Sequence, residues 1–183
     1  RDRHSDKNTS SLSMAADARI LWGGDEAVMK IRSIPANPRT RDIGFADRYS
    51  VGLINGDALA TSEQITELAQ KVWKDTAPYG QMACSSPKAL FWIGSTAQQQ
   101  KLFEEVNAFA LKEYRALNQK TNHLVSTQLI QANGWAGPIL FSDAITVVSI
   151  EEVTESLFNW HAGNGLFYIK QIDSICLLYT SDA

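Results

Sequence analysis

Apolar and polar positions along this chain alternate between two rhythms. Ala18 to Leu21 is a short apolar run that stops at Trp22-Gly23-Gly24, a strand meeting a glycine turn. Asp25 to Arg32 then places Ala27, Val28 and Ile31 at helical spacing, and Pro35 closes the stretch. Asn37 to Asp42 reads as a polar loop. Ser50 to Asn55 reads as a second strand, with Asn55-Gly56-Asp57 as its turn. A better-defined helix follows. Thr61-Ser62-Glu63-Gln64 spells a capping box, and Ile65, Leu68, Ala69, Val72 and Trp73 recur on one face behind it.

Pro78 and Gly80 end that helix, and Ala89 to Ile93 is apolar and aromatic, hence strand. Ser95-Thr96-Ala97-Gln98 spells a second capping box, opening a helix with Leu102, Phe103, Val106, Phe109 and Ala110 inward. A further helix covers His123 to Ala132. Strands follow near Ile139–Phe141, Ile145–Ile150 and Leu166–Ile172, the last entered through Gly163-Asn164-Gly165. Strands alternating with helices of this length predict an α/β architecture with a mainly parallel sheet.

Composition changes this picture little. The 183 residues are 44% hydrophobic and 20% charged, which suits an ordinary globular chain of one domain or parts of two. A net charge of −3 and a pI near 5.6 give no general affinity for nucleic acid or anionic membrane. No run approaches the ~20 apolar residues that span a bilayer, and Arg1 to Ser13 has no signal-peptide core. A reducing cytoplasm is the expected compartment, so no disulfide is expected between Cys84 and Cys176. These two cysteines form no metal-ligand spacing with His4, His123 and His161, and no metal is expected. The sequon Asn8-Thr9-Ser10 is read as chance.

The chemistry concentrates at Tyr79-Gly80-Gln81-Met82-Ala83-Cys84-Ser85-Ser86-Pro87, a turn between predicted helix and strand. It resembles the nucleophile motif of the aldehyde dehydrogenase superfamily, Gly-Gln-x-Cys, whose thiol attacks a carbonyl. The continuation Cys-Ser-Ser-Pro narrows the resemblance to the LuxC-type acyl-CoA reductases, which reduce fatty acyl thioesters to aldehydes. Thiolate chemistry suits that reaction, because exchanging one thioester for another is nearly isoenergetic. The bland alternative is a buried cysteine acting as a small hydrophobe.

Two upstream segments extend the resemblance over about residues 17 to 93. Leu21-Trp22-Gly23-Gly24-Asp25-Glu26-Ala27-Val28 is similar to the superfamily's Phe-Thr-Gly-Ser-Thr-Glu-Val-Gly, a strand-turn-helix unit over the cofactor. Gly23 and Gly24 are thereby implied in cofactor binding, since glycines allow close approach and a helix N-terminus offers N–H groups to phosphate. Asp25 and Glu26 oppose this by repelling a phosphate. By position, Ile43-Gly44-Phe45-Ala46-Asp47-Arg48-Tyr49-Ser50 resembles Leu-Glu-Leu-Gly-Gly-Lys-Ser-Pro. Gly44 then stands where hydrolytic members carry the glutamate that activates water. No glutamate lies between Glu26 and Glu63, so small errors of register do not restore one.

The resemblance implies an aldehyde dehydrogenase-like, three-layer α/β fold, truncated at both ends. Residues 1–43 would be the remnant of the nicotinamide-cofactor domain and 44–174 a partial catalytic domain. Residues 175–183 read as a non-native tail. The implied activity is NADPH-dependent reduction of a fatty acyl-CoA or carrier-bound acyl thioester through an acyl-Cys84 intermediate, with NADH as the alternative reductant. A homo-oligomer or an acyl-transfer partner protein is implied as well. The superfamily's oxyanion-hole asparagine lies upstream of this segment, and the isolated chain is expected to be inactive. An aldehyde-oxidising or short-chain acylating dehydrogenase is the alternative within the superfamily. A cysteine hydrolase, and a non-catalytic α/β module with an inert thiol, are the alternatives outside it. Lys88 is read as an activator of Cys84 or a solvated lysine. His123 and His161 are read as surface or hydrogen-bonded histidines before acid–base groups. Arg39 and Arg41 are read as a solvated loop before a phosphate clamp.

Overall fold

The computed structural model describes residues 6–45, 48–113 and 119–175. They fall into two compact units, Arg1–Arg48 and Tyr49–Ala183. The expected tail, with Cys176, lies almost wholly outside the described residues, as does His4.

The first unit runs α1 (Asp6–Ala15), β1 (Ala18–Trp22), α2 (Asp25–Arg32) and β2 (Arg41–Phe45). Strands β1 and β2 pair in parallel, as a βαβ crossover requires. Leu21 and Val28 are its buried apolar residues. Arg19 ties the unit together. Its Nε and Nη2 donate to the Asp42 carboxylate at 2.6 Å each, and Arg19 and Asp42 are register partners. Its Nη1 donates to Ser13 Oγ on α1 and to the carbonyls of Ile31 and Ile34 at the end of α2. The guanidinium hydrogen bonds hold the Asp42 carboxyl below its ordinary value.

The second unit is a five-stranded sheet in the order β3 (Ser50–Asn55), β4 (Pro87–Ile93), β7 (Leu166–Gln171), β6 (Thr146–Ile150), β5 (Ala136–Phe141). Four strands are parallel; only β5 runs against its neighbour. Helices α3 (Ser62–Thr76) and α4 (Thr96–Glu113) cover one face, burying Ala69, Leu102, Phe103 and Val106 against Leu90, Trp92 and Phe167. Helices α5 (Gln119–Ala132) and α6 (Glu155–Asn159) supply Ile130, Leu157 and Phe158 to the other face, against Ala89, Val148 and Tyr168. Covered on both faces, β4, β6 and β7 are almost continuously apolar, as parallel strands are.

The expected strands and helices form near their expected bounds, with three differences. Arg41 and Asp42, the end of the expected loop, open strand β2; α1 falls in a stretch with no expected element; and β5 runs antiparallel at the edge of the mainly parallel sheet. The Thr61 capping box is complete. That of Ser95 is not. Ser95 Oγ accepts from Gln98 N at 3.3 Å, but the Gln98 carboxamide takes the Ser95 hydroxyl and donates to Leu59 O.

Candidate active site

Parallel pairing of β4 and β7 sets the loops that lead into them side by side. One is the Cys84 turn; the other is Gly163-Asn164-Gly165. Both sit at the amino ends of their strands, opposite to the carboxyl-end crevice that open α/β sheets usually use.

The Cys84 turn begins where α3 stops. Tyr79, Gly80 and Gln81 lie consecutively in the left-handed region, at φ 54°, 61° and 66°. Only Gly80 takes this conformation without a Cβ penalty, so Tyr79 and Gln81 need outside support. Gln81 has it. The side chain is completely buried; its Nε2 donates to Pro87 O at 2.8 Å and Leu166 O at 2.9 Å, and its Oε1 accepts from Gly165 N at 2.9 Å. One carboxamide thus bridges the starts of both strands. Gly80 O accepts from Asn164 N at 2.8 Å, and a Cβ on Gly163 would collide with that same carbonyl.

The residues after Gln81 are equally specified. Ser86 is buried, and its hydroxyl donates to Asp75 O in the last turn of α3 at 2.7 Å. Its N–H donates to Ala83 O at 3.0 Å. Pro87, lacking an N–H, opens β4. Ser50 Oγ donates to Cys84 O at 2.6 Å, linking the turn to the start of β3. Cys84 itself is a free, exposed thiol, flanked by the exposed side chains of Tyr79 and Met82.

Two histidines stand behind this turn. His123, on α5, is buried, with Nε2 at 3.0 Å from Gly163 O and Nδ1 at 3.0 Å from Thr146 Oγ1. His161 is buried too, and its Nδ1 accepts from Gly163 N at 3.1 Å. Burial, with a smaller push from the Lys88 charge, lowers the His161 pKa to about 3; burial lowers that of His123 as well. Both are therefore neutral near pH 7. His161 packs edge-on against Tyr168, ring centroids 4.8 Å apart. His161 Nε2 and the Tyr168 hydroxyl are buried with no hydrogen-bond partner. Lys88 is neither solvated nor on the surface. It is buried, with its ammonium 4.7 Å from the centroid of the Tyr49 ring.

In the first unit, Gly24 caps α2 with no side chain of its own on the first-turn N–H groups, and Gly23 precedes it at φ 154°. Asp25 and Glu26 occupy the first turn and are exposed. Gly44 is in β2, where a Cβ would lie 2.8 Å from Arg32 Nη2. A glutamate here would meet a guanidinium. Arg39 is an exposed loop residue, and Arg41 is the exposed first residue of β2. No group of three potential metal-ligating side chains occurs among the described residues.

Two aspects of the site escaped the sequence. The motif was likened to Gly-Gln-x-Cys, yet here two residues, Met82 and Ala83, separate Gln81 from Cys84. The contribution of Gly163-Asn164-Gly165 was also missed. Its glycines signal a turn, but only the β4–β7 pairing brings it to the cysteine.

The family profile described as acyl-CoA reductase (LuxC) matches residues 2–126, Cys84 among them. The chain belongs to the LuxC acyl-CoA reductase family. Solved aldehyde dehydrogenases share the fold of this LuxC-family chain. An NAD-dependent aldehyde dehydrogenase from Sinorhizobium meliloti superposes with a TM-score of 0.67 at 10% identity, over 96% of this chain and 38% of the other. For the gamma-glutamyl-gamma-aminobutyraldehyde dehydrogenase of Burkholderia cenocepacia J2315 the values are 0.64, 11%, 93% and 38%. For the NADP-dependent glyceraldehyde-3-phosphate dehydrogenase of Bacillus halodurans C-125, complexed with NADP, they are 0.61, 13%, 90% and 37%. The LuxC-family chain thus spans less than two fifths of each of these proteins. No curated protein matches it.

Proposed function

We propose that this chain carries the nucleophile of a fatty acyl thioester reductase, and that Cys84 is that nucleophile. The observation that carries the reading is the exposed thiol on a turn pinned by buried Gln81 and Ser86, within the residues matched to the LuxC family. A cysteine serving only as a small hydrophobe is buried; this one is not.

In the proposed course the Cys84 thiolate attacks the acyl carbonyl. A new C–S bond forms, and the bond to CoA or another carrier thiol breaks, with its electron pair leaving on the departing sulfur. Cys84 holds the acyl group as a thioester, and after reduction its C–S bond breaks to release aldehyde and restore the thiolate. NADPH, with NADH as the alternative, supplies the hydride when bound. Gly23 and Gly24 would receive its phosphates, since the glycine cap leaves the first-turn N–H groups of α2 without a side-chain acceptor. Asp25 and Glu26, exposed in the same turn, oppose a phosphate there by charge. The absence of any glutamate between Glu26 and Glu63 supports reduction over hydrolysis, because an activated water would divert the acyl group to free acid. We place the protein in the cytoplasm, as a homo-oligomer or beside an acyl-transfer partner. Among the described residues no helix is long and apolar enough to cross a membrane.

The test uses this chain within its complete reading frame and a labelled long-chain acyl-CoA. Without nicotinamide, label should accumulate on Cys84, and NADPH should release it as aldehyde. Cys84→Ser should leave the protein unlabelled. Labelling that survives this substitution would sink the nucleophile assignment. Release as free fatty acid before NADPH is added would sink the reductase reading.

A further inference from the structure

We propose that His161 is a positioning residue for the Cys84 turn, acting through the Gly163-Asn164-Gly165 loop. His161 Nδ1 accepts from Gly163 N, while His123 Nε2 donates to Gly163 O, so one peptide segment is gripped from both sides by two neutral rings. Gripped there, the loop offers two successive N–H groups to the cysteine turn: Asn164 N to Gly80 O and Gly165 N to Gln81 Oε1. Gly80 and Gln81 are two of the three consecutive left-handed residues. The turn's own bonds are two, Gly80 N to Ala77 O and Met82 N to Tyr79 O at 3.2 Å each, and the three left-handed residues draw their remaining support from these loop contacts. The chain of dependence runs His161, Gly163, Asn164 and Gly165, then Gly80 and Gln81, then Cys84.

The tautomers follow from the bonds. Nδ1 of His161 must be unprotonated to accept, so its Nε2 carries the hydrogen. Nε2 of His123 must carry a hydrogen to meet a carbonyl, so in the neutral ring its Nδ1 accepts from Thr146. The groups facing His161 are Lys88 on β4, Tyr168 on β7 and His123 on α5. An apolar ring at position 161 removes the acceptor that Nδ1 supplies to Gly163 N. Asparagine does substitute, because its Oδ1 lies as many bonds from Cα as Nδ1 does.

The proposal gives Cys84 its significance from the reading above, but the test does not use the thiol, so the two can fail separately. Amide hydrogen exchange is measured by mass spectrometry on this chain within its complete reading frame, as the parent and as His161→Phe and His161→Asn. In His161→Phe, exchange over 162–166 and over 78–86 should accelerate at least about tenfold, while α4 stays as protected as in the parent. His161→Asn should restore parental exchange in both segments. Acceleration of 162–166 with 78–86 unchanged would overturn the proposal, as would uniform acceleration everywhere. Failure of Asn to rescue would overturn it equally. Should His161→Phe not fold, nitrogen chemical shifts of the parent decide instead: His161 must carry its hydrogen on Nε2, and a hydrogen on Nδ1 refutes the grip on Gly163.

Discussion

Gln81 is the residue on which the cysteine turn most depends, and its identity can be argued atom by atom. It is buried, adopts a positive φ, and uses both ends of its carboxamide on three backbone groups, one in β4, one in β7 and one in the loop before β7. Leucine would fill the volume but leave Gly165 N, Pro87 O and Leu166 O unsatisfied. Each buried group stranded in this way costs about 1–3 kcal/mol, so Gln81→Leu should lower stability by at least about 3 kcal/mol. Glutamate keeps the acceptor for Gly165 N but, ionised, sets a charge against two carbonyls. It should therefore be destabilising at neutral pH and milder in acid, where the protonated carboxyl can donate to one of them. Urea melts of the two variants at pH 7 and pH 5 check this. Equal losses for Glu at both values would mean that the carbonyl contacts do not matter. Gly80→Ala is a second case. Its Cβ would sit 2.6 Å from Asn164 Oδ1 and φ is 61°, so strain and collision both oppose it.

Elements with local signals were legible in the sequence, and those whose signals are tertiary were not. Helix α3 is the clearest. Thr61 Oγ1 accepts from Gln64 N at 3.3 Å, and Gln64 Oε1 returns to Thr61 N at 3.1 Å and Ala60 N at 2.8 Å. Thr61→Ala should cost about 1 kcal/mol, read as a lower denaturant midpoint with an unchanged slope. No loss would mean the box is cosmetic. By contrast, α1 buries Ser13 and exposes Leu12 and Met14, so it has no apolar stripe to betray it. Strand β2 exposes Ile43 and Phe45 around Gly44, and forms because Arg19 and Asp42 lock its register to β1. The cysteine turn was legible as a motif. Its supporting loop, more than 70 residues later, was not, because the register of β4 against β7 is a property of the folded sheet. The same holds for His123 and His161. Their burial was invisible: of the two expectations, surface or hydrogen-bonded, only the second describes them.

At the scale of the whole chain, the buried histidines couple the cysteine turn to pH. A histidine whose pKa falls on folding binds its proton more tightly when unfolded. Its contribution to stability is therefore complete above the ordinary value near 6.5 and is lost as the pH falls below it. For His161 that loss runs from about 6.5 down to about 3. Asp42 acts in a lower window: its carboxyl, held down by Arg19, contributes fully above the ordinary 3.8, and that contribution is lost as the pH falls from there through its folded value. Between pH 6.5 and 4 the second unit should thus lose stability while the Arg19–Asp42 pair of the first is still intact. Fluorescence of Trp73 and Trp92, both buried in the second unit, follows the relevant transition. Urea melts across this range should show stability falling by up to about 1.4 kcal/mol per pH unit for each histidine that resists protonation. His161→Asn keeps the acceptor for Gly163 N but cannot titrate, so its slope should be shallower by about one proton. An unchanged slope in that variant would mean that His161 is not the group being protonated. A steeper one would mean that its replacement has opened the fold to other groups.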